Sequence, residues 1–127
     1  MDKNKLDKIL DNHKLWLKTG GEEGERADLS SADLRYADLS SADLSYADLR
    51  YADLSSADLD FSAFPLWCGG LDVNIDDKQA VQLLYHLVRN VKYSKNTSKE
   101  MKNLCKLKSI IKKANEFHRV NECGGIE

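Results

Sequence analysis

Cysteine, histidine, serine, aspartate and lysine are the side chains that could do chemistry in this chain, and their spacing decides which chemistry is open to them. Cys68, Cys105, His118 and Cys123 are zinc-capable types, but no pair has the short spacing of structural zinc sites. The three cysteines are odd in number and widely spaced, which points to reduced thiols rather than a disulfide framework. Cys105 falls on an apolar helical stripe, where a free cysteine behaves as a small hydrophobe. His13, His86 and His118 read as packed helix residues rather than catalytic bases. Serine and aspartate are abundant only as members of a repeat, and no nucleophile–base pair, phosphate loop or carboxylate pair stands apart from it. The chain is therefore read as non-enzymatic, with no metal and no cofactor called for.

Charge is unevenly spread. The formal net charge of −2 divides into 0 for residues 1–26, −6 for 27–62, 0 for 63–93 and +4 for 94–127. No apolar run approaches the roughly 20 residues that span a bilayer. Charged residues rather than an apolar signal region follow Met1–Leu6, so the expected location is cytoplasmic, with no membrane partner.

The aspartates and serines belong to seven unbroken copies of Ala-Asp-Leu-x-x between Ala27 and Phe61. A five-residue period fits neither the 3.6-residue helix nor the two-residue strand, so the segment must be a coil that turns. Leucines 29, 34, 39, 44, 49, 54 and 59 and alanines 27, 32, 37, 42, 47, 52 and 57 recur at fixed offset. That is the large/small pair an inward-facing core needs, and it directs the aspartates and the two variable positions outward.

This motif resembles that of the pentapeptide-repeat family, written Ala-(Asp/Asn)-Leu-x-x. The resemblance implies a right-handed, four-sided β-helix, and at four repeats per turn seven copies give a little under two turns. The expected fold is thus a mainly β solenoid with α caps, a coil on the order of 10 Å tall at strand spacing. Such a stub needs caps at both ends, because open ends expose apolar core and backbone edges.

The flanks supply candidates for those caps within one expected domain, 1–127. Leu6, Ile9, Leu10, His13 and Leu17 share one side of a helix over 3–18, and Gly20-Gly21 stops it. The repeat register, 27–66, continues through Ser62–Leu66 with Phe64 in the leucine position, and 71–75 alternates as a strand; together they are expected to finish the second turn. Asp76 with Gln79 resembles a capping box before a helix over 77–93, and Thr97 with Glu100 another before a helix over 98–118. Residues 119–127 read as a loose tail. The segment from Phe61 to Val91, containing Phe-Pro-Leu-Trp-Cys-Gly-Gly and Gln-Leu-Leu-Tyr-His-Leu, is similar to a module attached to pentapeptide repeats in phage and prophage proteins.

Three surfaces are candidates for binding. Asp28, Asp33, Asp38, Asp43, Asp48, Asp53 and Asp58 could mimic a nucleic-acid backbone, a role the family resemblance suggests toward DNA gyrase. A coil of under two turns is too short for a charge every ~1.7 Å along duplex DNA to be matched, so bonding within the coil is the favoured reading. Arg35-Tyr36 and Arg50-Tyr51, on adjacent faces, combine types favoured at interface hot spots. Lys95, Lys99, Lys102, Lys106 and Lys113 make one helix face basic, suited to an acidic coil of the same or another subunit and so to a homodimer. No stacking aromatics interleave them, which ranks nucleic-acid binding lower. The expected function is a protein-binding module, a phage-encoded inhibitor or adaptor of a host complex acting in the host cytoplasm. The alternatives are a nucleic-acid-binding or DNA-mimic protein and a purely structural oligomerising module.

Overall fold

A computed structural model describes residues 1–127, which divide into two compact units, Met1–Asp76 and Asp77–Glu127.

In the first unit the repeats build a coil that returns on itself every twenty residues. Parallel bridges join Asp28 to Asp48, Asp33 to Asp53, Asp38 to Asp58 and Asp43 to Ala63. Every fifth residue is a corner: Ser31, Tyr36, Ser41, Tyr46, Tyr51, Ser56 and Phe61 all have φ between 57° and 63°. At six of these corners the alanine N–H three residues after a leucine donates to that leucine's carbonyl, as from Ala32 to Leu29 at 3.1 Å and from Ala57 to Leu54 at 2.8 Å, and at Phe61 the Ser62 N–H does so to Leu59 at 3.1 Å. Positive φ at the third residue alone is the type II turn pattern. The repeat leucines fill the interior, Leu29, Leu39, Leu44, Leu49 and Leu54 being wholly enclosed. Each contributes about 1.5–3 kcal/mol by leaving water, which makes this column the main stabilising feature of the unit.

The expected β solenoid is not what forms. There is no β-strand and no sheet; regular secondary structure is helical, and the repeat layers meet only through isolated bridges. A left-handed corner every five residues leaves too little extended backbone between corners for a continuous ladder, so each repeat pair contributes one bridge. The 71–75 strand is likewise absent. Asn74 alone bridges, to Asp53. Leu49, Tyr51 and Leu54 donate to Gly69, Asp72 and Asn74 at 2.7, 3.0 and 2.8 Å, so the chain after Leu66 begins a third layer rather than finishing the second turn.

Helix α1, Lys3–Lys18, closes one end of the coil by burying Leu6 and His13, with Ile9 and Leu10 packed against the leucine core. The second unit holds α2 (Asp77–Tyr93), α3 (Lys99–Cys105), α4 (Lys108–Ala114) and α5 (Val120–Cys123). Both α3 and α4 pack on α2, around a core of Val81, Tyr85, Val88, Val91, Cys105, Ala114 and Phe117. The single helix expected over 98–118 is broken at Lys106–Leu107. Cys105 and Ala114 are nine residues apart, which on one helix of 3.6 residues per turn would put them on opposite faces. The break turns both toward α2. Ser98, not Thr97, caps α3, its Oγ accepting the Met101 N–H at 3.1 Å. The tail is not loose: after α5, Ile126 is buried in the unit's core.

Candidate functional site

The repeat aspartates are tied to their own turns. In each repeat the Asp Oδ1 accepts the backbone N–H two residues on, at 2.9–3.2 Å from Asp28 through Asp58. Where that second residue is serine its hydroxyl donates to the same oxygen, as from Ser30 to Asp28 at 2.6 Å and from Ser40 to Asp38 at 2.5 Å. This is the Asx turn, and it selects Asp at the position because a short carboxylate reaches that amide. Side-chain and then backbone hydrogen bonds hold Asp28, Asp38 and Asp53 below the ordinary carboxylate range; for Asp43 the Ser45 hydroxyl is the main cause. Asp33 is lowered by Arg35, and Asp48 is pulled down to about 2 by Arg50. Carboxylates committed to turns, two of them neutralised by arginine, make a poor nucleic-acid mimic.

Repeat 5 lies over repeat 1 and repeat 2 over repeat 6, so Arg35-Tyr36 and Arg50-Tyr51 stand on different columns of the coil. Each arginine forks onto its own repeat's aspartate, Arg35 onto Asp33 at 2.9 and 2.7 Å and Arg50 onto Asp48 at 3.0 and 2.6 Å. The lysine row is also partly spent: Lys102 holds the Val91 and Ser94 carbonyls at the end of α2, and Lys113 pairs with Asp77 and Glu116. Lys95, Lys99 and Lys106 remain exposed. His86 Nδ1–H donates to the Gln82 carbonyl at 2.8 Å and the ring packs edge-on to Phe117. No group of three or more Cys, His, Asp or Glu comes together in a way that could hold a metal ion.

What the structure does assemble is an aromatic corner on the coil. Trp16 of α1 meets Tyr46 edge-on at 5.8 Å and lies parallel to the His13 ring at 6.0 Å. Next to Tyr46, the Ala47 carbonyl accepts the Trp67 indole N–H at 2.9 Å, and Arg26 lies 5.1 Å over the Trp67 ring. Leu66, twenty residues after Tyr46, is 95 % exposed, and Tyr46 is 61 % exposed. Trp, Tyr and Arg are the residue types favoured at interface centres.

The glycines after Trp67 explain how its ring is held. A Cβ on Gly69 would sit 2.2 Å from the Trp67 ring, and one on Gly70 would sit 2.0 Å from the Pro65 carbonyl oxygen. The Phe-Pro-Leu-Trp-Cys-Gly-Gly run is thus a device that folds the indole back over the coil and leaves Leu66 outside. Spacing alone could not reveal it, although the two glycines directly after an aromatic were the available signal.

A family model described as pentapeptide repeats matches residues 25–60 with eight copies. Those residues are pentapeptide repeats. The family is generally non-catalytic, and the repeats here carry their aspartates in turns rather than in a reactive cluster. No curated protein and no solved structure matches the chain. No helix is long and apolar enough to cross a membrane.

Proposed function

We propose that this pentapeptide-repeat chain is a non-enzymatic protein-binding module, encoded by a phage or prophage, that inhibits or adapts a host protein complex such as a defence system. The observation that carries the binding role is the set of exposed groups on this side of the coil: Tyr46 packed on Trp16, Arg26 over the Trp67 ring, and Leu66, next to Trp67 in sequence, 95 % exposed. The resemblance of Phe61–Val91 to modules in phage proteins supports the mobile-element origin, and that origin makes a host complex the natural partner.

The test is capture from host lysate by the immobilised chain. Wild type is expected to recover one protein in stoichiometric amount. Leu66→Asp and Trp67→Ala are expected to lose it, while Tyr36→Ala on another column keeps it. Loss on Tyr51→Ala but not on Leu66→Asp would move the site to the Arg50-Tyr51 column. Recovery unchanged by all four variants would remove the coil surface from consideration.

A further inference from the structure

We propose that the groove between α2, α3 and α4 is a binding site for an extended peptide with a large apolar residue followed by an acidic one, and that residues 124–126 are its internal occupant. This site lies wholly in the second unit and is independent of the aromatic corner.

The tail is held as a bound peptide is held. Asn115 grips Ile126 from both sides, its Nδ2 donating to the Ile126 carbonyl at 2.9 Å and its Oδ1 accepting the Ile126 N–H at 2.7 Å. Tyr85 Oη donates to the Gly124 carbonyl at 2.5 Å, and Arg89 donates to the carbonyls of Cys123 and Gly124. Lys92 Nζ reaches the Glu127 carbonyl at 3.3 Å. Every one of these bonds runs from a side chain of the groove to tail backbone. Such a clamp holds backbone rather than side chains, so another segment of the same shape satisfies it provided glycine stands where Gly124 has φ +95°.

Selectivity then rests on two features. The first is a cavity of about 180 Å³ beside Ile126, floored by Val88, Val91, Cys105 and Ile111. A dry cavity of about 150 Å³ accommodates a benzene ring, so there is room here for an anchor larger than isoleucine. The second is the rim, where Lys92, Lys102 and Lys106 surround the opening. Lys102 is committed to the Val91 and Ser94 carbonyls, but all three are positive and favour a carboxylate beside the anchor. The chain's own Ile126-Glu127 shows the pattern with an undersized anchor.

The occupant is replaceable. Of residues 121–127 only Ile126 is buried, and the α5 helix before it is a single turn. Gly124 has φ +95° and Gly125 follows it, so the tail can swing without disturbing α5.

The test is titration of the full chain with a fluorescent acetyl-Gly-Gly-Phe-Glu-amide peptide. Ile126→Gly, which empties the groove, is expected to bind at least about tenfold tighter than wild type, because a tethered occupant competes at an effective concentration on the order of millimolar. Asn115→Ala is expected to lose binding, and Lys106→Glu to weaken this peptide but not its Gly-Gly-Phe-Gln counterpart. Failure of folded Ile126→Gly to bind at millimolar peptide, or equal binding by Asn115→Ala, overturns the proposal. Hydrogen exchange at the Ile126 amide of wild type gives a readout free of folding effects. Saturating peptide should expose that amide to exchange, and unchanged protection would overturn the proposal too.

Discussion

His13 Nδ1 accepts the Ala27 amide N–H at 3.0 Å, and since an amide can only donate, the imidazole proton resides on Nε2, which bonds the Ser45 carbonyl at 2.8 Å. One buried ring thereby joins α1 to the first repeat and to the fourth corner. His13→Ala would leave the buried Ala27 N–H and the half-buried Ser45 carbonyl without their partner, the buried group alone worth about 1–3 kcal/mol. The expected loss is about 3 kcal/mol in urea denaturation of the whole chain. A loss below about 1 kcal/mol would show that the ring is not what secures the cap.

The Asx turns set an acid limit. Asp28, Asp38, Asp43, Asp48 and Asp53 all titrate lower in the folded chain than an ordinary aspartate. A depressed folded pKa stabilises fully above the unfolded value near 4, and the stabilisation disappears as pH falls through the folded value. Asp48 is pulled down to about 2 by Arg50, and Asp33 lies lower still beside Arg35. The denaturation midpoint is expected to fall between about pH 4 and pH 2. Asp38→Asn, whose amide oxygen can accept the same Ser40 N–H, is expected to flatten that fall while changing little at neutral pH. A midpoint constant across the window would exclude the turns as its cause.

The coil's interior was legible because leucine and alanine repeat without interruption, and a strict five-residue period admits no helix or strand. Its lack of strands was not, since the corners that interrupt the ladder use Ser, Tyr and Phe rather than the Gly or Asn that advertise positive φ. The break between α3 and α4 was implicit in Cys105 and Ala114, nine residues apart yet both apolar; reading them as one stripe hid it. The aromatic corner was hidden for another reason. Trp16 lies in α1 and Trp67 a coil turn beyond Tyr46, and only the fold-back of Trp67 over Gly69 brings the last of them to the Tyr46 corner.

Gly69→Ala should take the corner apart from beneath. The added Cβ would lie 2.2 and 2.4 Å from two Trp67 ring atoms and 2.8 Å from the Ala47 oxygen that accepts the indole N–H. The ring must leave, and overpacking of this kind costs about 1–3 kcal/mol. Trp67 fluorescence, read in a Trp16→Phe background, is expected to shift red as the indole enters water. An unchanged spectrum would mean that the backbone at Gly69 yields instead.

Corner residues should behave oppositely under one substitution, according to what they touch. A non-glycine residue in the left-handed region carries about 1–3 kcal/mol of backbone strain, and asparagine carries less of it than tyrosine. Tyr36 is 81 % exposed at φ +63°, with Ser56 in the same column one turn away, so its ring returns little of that strain. Tyr36→Asn is therefore expected to stabilise the chain by about 0.5–1 kcal/mol in urea denaturation. Tyr46 has the same φ but packs edge-on against Trp16, a contact worth about 0.5–1.5 kcal/mol. Tyr46→Asn is expected to gain nothing or to lose stability. Stabilisation at Tyr36 without stabilisation at Tyr46 would show that the Trp16 contact offsets the corner strain at Tyr46, whereas equal responses would show that it does not.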